Sequence, residues 1–216
     1  MASKTNSAFG SLSVKELKIL QRLNTPTKIQ DFLDTLPMNF SDVDPCLSVR
    51  GVLQKRTAHC FEGALLAAAA LWYHGQKPLL LDLTTSKNDE DHVVTLFRGG
   101  PGKKYWGAIS KTNHAVLRYR EPVYKTVREL AMSYFHEYFL NSTGQKTLRT
   151  FSRAFDLSKY QKLNWLTSQD GIMELIQRLS DSPHEEILSA AHIKLLRKAD
   201  KIEIQAGKIV EWEPGK

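Results

Sequence analysis

The segment from Cys60 to Tyr73 constrains the fold more than any other part of the chain. Ala64 and the alanines at residues 67–70 have high helix propensity, and their small side chains let other elements approach closely. A helix that is apolar nearly all round is stable only when it is buried. We therefore expect a helix over residues 60–73, ending before Gly75, in the middle of a domain.

Short apolar runs follow this helix and predict strands at residues 78–83, 92–97 and 105–109. The glycine-rich turn at residues 99–102 separates the last two runs, which favours an antiparallel pair. Several strands after one central helix are typical of an α+β layer structure, because alternating βαβ units would place a helix between successive strands. The sequence therefore predicts a central helix packed on an antiparallel sheet.

Further helices are expected on both sides of this core. Ser13 and Glu16 form a capping box at the start of one helix, and Pro26 stands at the first turn of the next. Downstream, the pattern predicts helices at residues 127–139, 172–179 and 185–196, and a terminal β-hairpin over residues 202–212. We divide the chain into a core with N-terminal helices, residues 1–140, and a C-terminal helical extension, residues 141–216, with one single domain as the open alternative.

The charge and hydropathy of the chain bear on its partners and location. The net charge of +7 keeps the chain soluble and favours contact with polyanions, but the basic residues are scattered and form no nucleic-acid-binding motif. The first residues lack the apolar stretch of a secretory signal. The longest apolar run, residues 63–73, is shorter than the roughly 20 residues that span a bilayer. We expect a cytoplasmic protein without a membrane partner.

The chain contains two cysteines, Cys46 and Cys60, so no disulfide framework is implied. Cys60 opens the central helix, where the positive end of the helix dipole lowers the pKa of a thiol. The free N–H groups at the same helix end can bind an oxyanion. His92 begins a strand, from which it can present an imidazole to that helix end. We predict Cys60 and His92 as a catalytic pair.

Three motifs resemble the core of the transglutaminase-like superfamily, which is related to papain: residues 56–64 (RTAHCFEGA), 91–97 (DHVVTLF) and 105–110 (YWGAIS). The resemblance covers roughly residues 50–115. It implies a papain-like fold, no cofactor, and thiol chemistry on an amide or peptide bond, with Cys60 as nucleophile and His92 as base. Residues 25–36, the Cys60 segment and residues 133–138 also resemble a bacterial group of unassigned function, which implies a bacterial origin and leaves the substrate open.

The chain departs from the superfamily pattern at the third catalytic position. An Asp is expected after Trp106, where this sequence has Ser110. Asn113 lies three residues further on, and an Asn can orient an imidazole in papain-like enzymes. The sequence ranks Asn113 slightly above Ser110 as this third member. Trp106 is assigned to substrate binding, and Gln54 could donate its amide to an oxyanion or serve as an ordinary loop residue.

Other polar residues are weaker candidates. Asp82 and Asp91 could also orient the imidazole, although Asp91 would point to the opposite strand face from His92. Cys46 has no histidine at metal-ligand spacing, and His184 is followed by two glutamates without the second histidine of a zincin. We therefore expect no metal site and no nucleotide cofactor.

Three functions are compatible with these features. The first is a cysteine hydrolase or peptidase that attacks an amide bond in a protein or peptide substrate, with transfer to an amine left open. The second is a transglutaminase-fold binding or scaffold protein whose Cys60 and His92 do no chemistry. The third is a nucleic-acid-associated factor, which the basic charge permits and no motif supports.

Overall fold

The computed structural model describes residues 8–41 and 46–213 of the chain as a mixed α and β structure built on an open antiparallel sheet. Its helices are α1 (Val14–Arg22), α2 (Pro26–Asp34), α3 (Val49–Lys55), α4 (Cys60–Tyr73), α5 (Val127–Tyr134), α6 (Ile172–Ser180), α7 (Ala190–Ile193) and α8 (Lys201–Gly207). Its strands are β1 (Leu79–Thr85), β2 (His92–Gly99), β3 (Tyr105–Ile109), β4 (Arg120–Tyr124), β5 (Leu148–Ser152), β6 (Phe155–Asp156) and β7 (His184–Glu186). Short 3₁₀ helices lie at Pro101–Lys103, Phe135–Glu137 and Leu157–Leu163. The expected α+β class is confirmed.

The sheet has the strand order β4-β3-β2-β1-β5-β7, and β6 also pairs with β1. The predicted antiparallel pair is present, with Thr95 of β2 opposite Ile109 of β3. Strands β5 and β7 lie beyond residue 140 and pair in the same sheet as the strands before it. The two predicted segments therefore share one sheet.

Helix α4 begins and ends at the predicted residues, and it is buried along nearly its whole length. It packs on β2, where the Thr95 hydroxyl donates a hydrogen bond of 2.7 Å to the Ala64 carbonyl. A Cβ atom at Gly63 would lie 2.5 Å from Cβ of Lys111, so only glycine allows this close approach of the helix to the end of β3. This contact holds the N-terminus of α4 close to the C-terminal end of β3.

The sheet carries a hydrophobic core on each face. Residues that alternate along a strand point to opposite faces. One face, with Leu80, Val93 and Phe97, packs against the helices before residue 74. The other face, with Leu81 and Val94, packs against α5 and the segment after it. The three central strands are therefore covered on both sides, unlike a one-sided antiparallel sheet.

The C-terminal predictions were partly wrong. The hairpin expected over residues 202–212 is instead helix α8, because Asp200 and Glu203 form a capping box that satisfies the first N–H groups of a helix. The helix expected over residues 185–196 is strand β7 followed by the short helix α7. The helix at residues 172–179 was correct. In residues 8–41 and 46–213, no helix combines the length and the apolar character that crossing a membrane requires.

Candidate active site

The N-terminus of α4 and the first residue of β2 meet at one cavity of about 860 Å³. Cys60 and His92 both line this cavity, so the fold brings the two predicted catalytic residues to the same space. Cys60 is partly exposed, whereas His92 is buried with 6% of its surface exposed. The cavity is large enough for a side chain or a short peptide.

The Cys60 thiol is held between two opposing influences. Burial raises the pKa of the thiol above its ordinary value, while the nearby backbone N–H groups of Val93 and Phe61 lower it, and burial is the larger effect. The thiol is therefore protonated at neutral pH. The N–H of Cys60 itself donates to no acceptor in the described part of the chain, which leaves it available to an oxyanion.

A hydrogen-bond chain fixes the tautomer of His92. The Ser110 hydroxyl donates its one proton to the Leu117 carbonyl at 2.6 Å. Ser110 Oγ therefore accepts the hydrogen bond of 2.8 Å that joins it to His92 Nε2. The proton of neutral His92 is on Nε2, and Nδ1 carries the lone pair. This serine sets the orientation of the imidazole.

His92 is a neutral base at physiological pH. Burial lowers its pKa to about 4, with smaller contributions from His114 and Arg120. Within residues 8–41 and 46–213, Nδ1 has no hydrogen-bond partner, and no hydrogen bond joins the ring to Cys60. Nδ1 is therefore a free acceptor on a buried side chain that lines the cavity.

The other proposed third members make different contacts. The Asn113 side chain donates to the Trp212 carbonyl at 2.9 Å and accepts from the Trp212 N–H at 2.8 Å. Asp91 accepts from the Thr85 N–H at 2.7 Å, and Asp82 lies 3.3 Å from His184 Nε2. Of the two residues that the sequence ranked first, Ser110 is thus the one that contacts His92.

The two predicted substrate-binding residues lie elsewhere. Trp106 is in β3, where the guanidinium of Arg98 stacks 3.5 Å above its ring. Gln54 is exposed on α3. Neither residue lines the cavity that Cys60 and His92 share. The structure therefore gives Trp106 a packing role on the sheet and Gln54 a surface position.

A second cysteine and histidine meet in a cluster that the sequence did not reveal. Cys46 Sγ lies 3.3 Å from His59 Nε2, which in turn lies 3.5 Å from Glu62 Oε1. Glu62 is fully buried and accepts from the Leu47 N–H at 2.7 Å, the His59 N–H at 2.8 Å and the Asn39 amide at 3.0 Å. This carboxylate ties two other segments of chain, at Asn39 and Leu47, to the start of α4.

The cluster resembles a metal site in its spacing, because the Cys46, His59 and Glu62 ligand atoms lie within 4.8 Å of one another. Its hydrogen bonds do not fit a metal. His59 Nδ1 accepts from the Phe61 N–H at 3.2 Å, so the proton of the neutral ring is on Nε2 and no lone pair faces Cys46. His59 instead caps helix α4, and the cluster positions the residue that follows it, Cys60.

The sequence contained only part of the signal for this cluster. A capping residue followed by a glutamate three positions later is a recognisable helix start, and His59 and Glu62 have that spacing. Cys46 precedes His59 by 13 residues in an irregular segment, where no periodicity relates the two side chains.

Comparison with known proteins adds no relationship to these observations. Scanned against models of protein families, the chain matches none, and a search of curated proteins likewise gives no match. A functional assignment for this cavity therefore depends on its geometry and chemistry.

Proposed function

We propose that the protein is a cysteine hydrolase of transglutaminase-like type, in which Cys60 attacks an amide or peptide carbonyl and His92 is the base. The observation that carries this proposal is the fixed tautomer of His92, which leaves Nδ1 unprotonated on a side chain that lines the same cavity as Cys60. A hydrogen bond on the far nitrogen of the ring is the arrangement that Cys–His enzymes require of the third catalytic residue. The order of α4, β2 and β3 along the chain further supports a transglutaminase-like core.

In the proposed reaction His92 acts first as a base, then as an acid, and then as a base again. Cys60 Sγ forms a bond to the carbonyl carbon, and its proton passes to His92 Nδ1. The carbonyl electrons move to the oxygen, which the Cys60 N–H stabilises. His92 then protonates the leaving amine as the C–N bond breaks, which leaves a thioester. Water attacks the thioester, gives a proton to His92, and releases the acid with the Cys60 thiol restored.

The charge states of the resting site define the kind of catalysis. The Cys60 thiol and the His92 ring are both neutral, because burial raises the pKa of the first and lowers that of the second. The pair is therefore proposed to work by general-base catalysis rather than through a preformed thiolate. Ser110 supplies the hydrogen bond that an Asp or Asn supplies in other enzymes of this kind.

Trapping of an acyl-enzyme tests this proposal. The protein is incubated with 4-nitrophenyl acetate, and the acetylated residue is located by mass spectrometry. We expect one acetyl group on Cys60, none in Cys60→Ser, and unchanged labelling of Cys60 in Cys46→Ser. Labelling that persists in Cys60→Ser but disappears in Cys46→Ser would assign the chemistry to the other cysteine and overturn the proposal.

A binding protein is the second candidate, and one observation favours it. The Cys60 thiol and the His92 ring lack a mutual hydrogen bond in the described structure, and neither is charged at rest. A folded protein that gains no acetyl group at Cys60, yet has this thiol shielded from alkylation by a bound peptide, would support this second function.

A further inference from the structure

The cavity has a charge opposite to that of the whole chain. The protein carries a net charge of +7, yet among residues 8–41 and 46–213 the cavity is lined by four carboxylates, Asp89, Glu90, Asp91 and Glu137, and by one ammonium, Lys111. With the histidines neutral, these five groups leave a net charge of −3 around the space that Cys60 lines. A cleft lined by one sign of charge concentrates ligands of the opposite sign.

Two of these five groups are already paired with other groups of the protein. Glu137 forms an ion pair of 2.6 Å with Arg120, which cancels its charge. Lys111 is 1% exposed and donates from Nζ to the Leu36 carbonyl. The accessible charge of the cavity therefore comes from the acidic run at residues 89–91.

The acidic run is held in place without a basic partner. Asp89 accepts from the Thr147 hydroxyl, and Asp91 accepts from the N–H of Thr85. In the part of the chain that the structure describes, no lysine, arginine or histidine forms an ion pair with Asp89, Glu90 or Asp91. Because Glu90 and Asp91 are exposed and Asp89 is half-buried, their negative charge is accessible to a ligand that enters the cavity.

The buried face of the cavity also lacks a partner. Among the described residues, His92 Nδ1 has no donor, on a side chain that is 6% exposed. In the proposed reaction this nitrogen receives the Cys60 proton, so the carboxylates set the ligand's chemistry. Carboxylates are acceptors that match N–H donors with positive charge. Ammonium and guanidinium groups have both properties.

We propose that the substrate of this cavity is a peptide with a lysine or arginine side chain next to the bond that Cys60 attacks. The cationic side chain contacts Glu90 and Asp91 at the exposed rim, and the scissile carbonyl lies at Cys60. This inference rests on the proposed function for its chemistry, but the preference for positive charge is a property of the cavity that can be measured separately.

Charged thiol reagents measure the preference. In Cys46→Ser, Cys60 is modified with methanethiosulfonates that carry a trimethylammonioethyl or a sulfonatoethyl group, and the two second-order rate constants are compared at low salt. We expect the cationic reagent to react about tenfold or more faster than the anionic one. The ratio should fall toward one in the double variant Glu90→Gln, Asp91→Asn, and at 0.5 M salt because screening weakens the field.

The matched control is Glu121→Gln, which removes one carboxylate from an exposed position on β4 outside the cavity and should leave the ratio unchanged. A ratio near one in the parent, or an equal fall in Glu121→Gln, would overturn the inference. The two proposals fail separately. If no acyl-enzyme forms but the cationic reagent still reacts faster, the hydrolase proposal fails and the preference for a cationic ligand stands. If Cys60 is acylated but the ratio is near one, the hydrolase proposal stands and the cationic preference fails.

A peptide experiment distinguishes a peptide from a small amine. Blocked peptides that differ only in a central lysine, norleucine or glutamate are added at equal concentration, and protection of Cys60 from iodoacetamide is measured in Cys46→Ser. We expect the lysine peptide to protect best and free spermidine to protect less. Stronger protection by spermidine, or by the glutamate peptide, would contradict a cationic peptide substrate.

Discussion

The Cys46–His59 pair and the Cys60–His92 pair differ in which nitrogen of the histidine ring is already hydrogen-bonded. His59 contacts Cys46, but its Nδ1 is already occupied by a backbone N–H. His92 makes no hydrogen bond to Cys60, but its Nε2 is held by Ser110, and its Nδ1 has no hydrogen-bond partner among the residues that the structure describes. Contact between a thiol and an imidazole therefore does not identify a nucleophile. The partner of the second ring nitrogen decides whether the first can accept a proton.

The two thiols also differ in the groups that affect their ionisation. Burial raises the pKa of Cys46 far above its ordinary value, and the negative charge of Glu62 raises it further. Burial also raises the pKa of Cys60, but two backbone N–H groups oppose it. Cys46 is thus surrounded by groups that oppose ionisation, whereas Cys60 has donors beside its sulfur. This contrast favours Cys60 over Cys46 as the nucleophile of the proposed reaction.

The largest expected effect concerns stability against pH. His92 has a pKa of about 4 in the folded protein and an ordinary value of 6.5 in the unfolded chain. Below pH 6.5 the unfolded chain therefore binds a proton that the folded protein rejects, and stability is lost as the pH falls to about 4. The loss from this group should approach about 3 kcal/mol.

Urea unfolding between pH 7 and pH 4 measures this loss in the parent and in His92→Gln. The glutamine keeps an N–H for Ser110 but does not titrate. The free energy of unfolding of the variant should therefore fall about 3 kcal/mol less than that of the parent over this pH range. Parallel stability curves for the two proteins would show that His92 is not a buried neutral base.

The second effect concerns acylation. His92→Gln removes the base, so the rate of Cys60 acetylation at pH 7 should fall about 100-fold, equivalent to about 2.7 kcal/mol. Stopped-flow release of 4-nitrophenolate measures this rate. An unchanged rate in a folded variant would mean that the free Nδ1 takes no part in the reaction.

The third effect concerns the serine that fixes the ring. Ser110→Ala removes the acceptor of the Nε2 proton, so the acetylation rate should fall about tenfold, the equivalent of one hydrogen bond of about 1.4 kcal/mol. The matched control is Ser152→Ala, which removes another buried hydroxyl, one that accepts from the Asp82 N–H at 2.9 Å. An equal rate loss in both variants would indicate general destabilisation rather than a role for Ser110.

The smallest effect is expected at the other histidine. His59→Asn keeps a residue that caps helices well, so the free energy of unfolding should change by less than about 1 kcal/mol. The rate of Cys60 acetylation should stay within about twofold of the parent. A loss as large as that of His92→Gln would reverse the comparison and assign the base to His59.

Local signals in the sequence were sufficient for the centre of the fold. The ends of α4 and of β3 were predicted at the correct residues, because alanine-rich and β-rich runs there agree with their tertiary burial. The C-terminal segment was harder to predict. The alternation of Ile202 and Ile204 resembles a strand, but the Asp200 cap stabilises a helix there. Strand β7 contains His184 and two glutamates and has no apolar alternation to reveal it.

The site was predictable in its parts but not in its contacts. Helix and strand starts at Cys60 and His92 could be read from the sequence. The choice between Ser110 and Asn113 could not, because it depends on the Trp212 backbone, which lies 99 residues from Asn113 along the chain and engages that amide. The cavity charge depends likewise on which of many carboxylates the folded chain brings to one rim.

The most direct test of the central claim is the pH dependence of Cys60 acetylation in the parent and in His92→Gln. If neutral His92 is the base, the parent rate should rise through about pH 4, where the ring loses its proton, and then stay level from about pH 5 to pH 8. The variant should react only as the thiolate forms, with a rate that keeps rising above about pH 9. Superimposable profiles, both following thiol ionisation alone, would contradict the account.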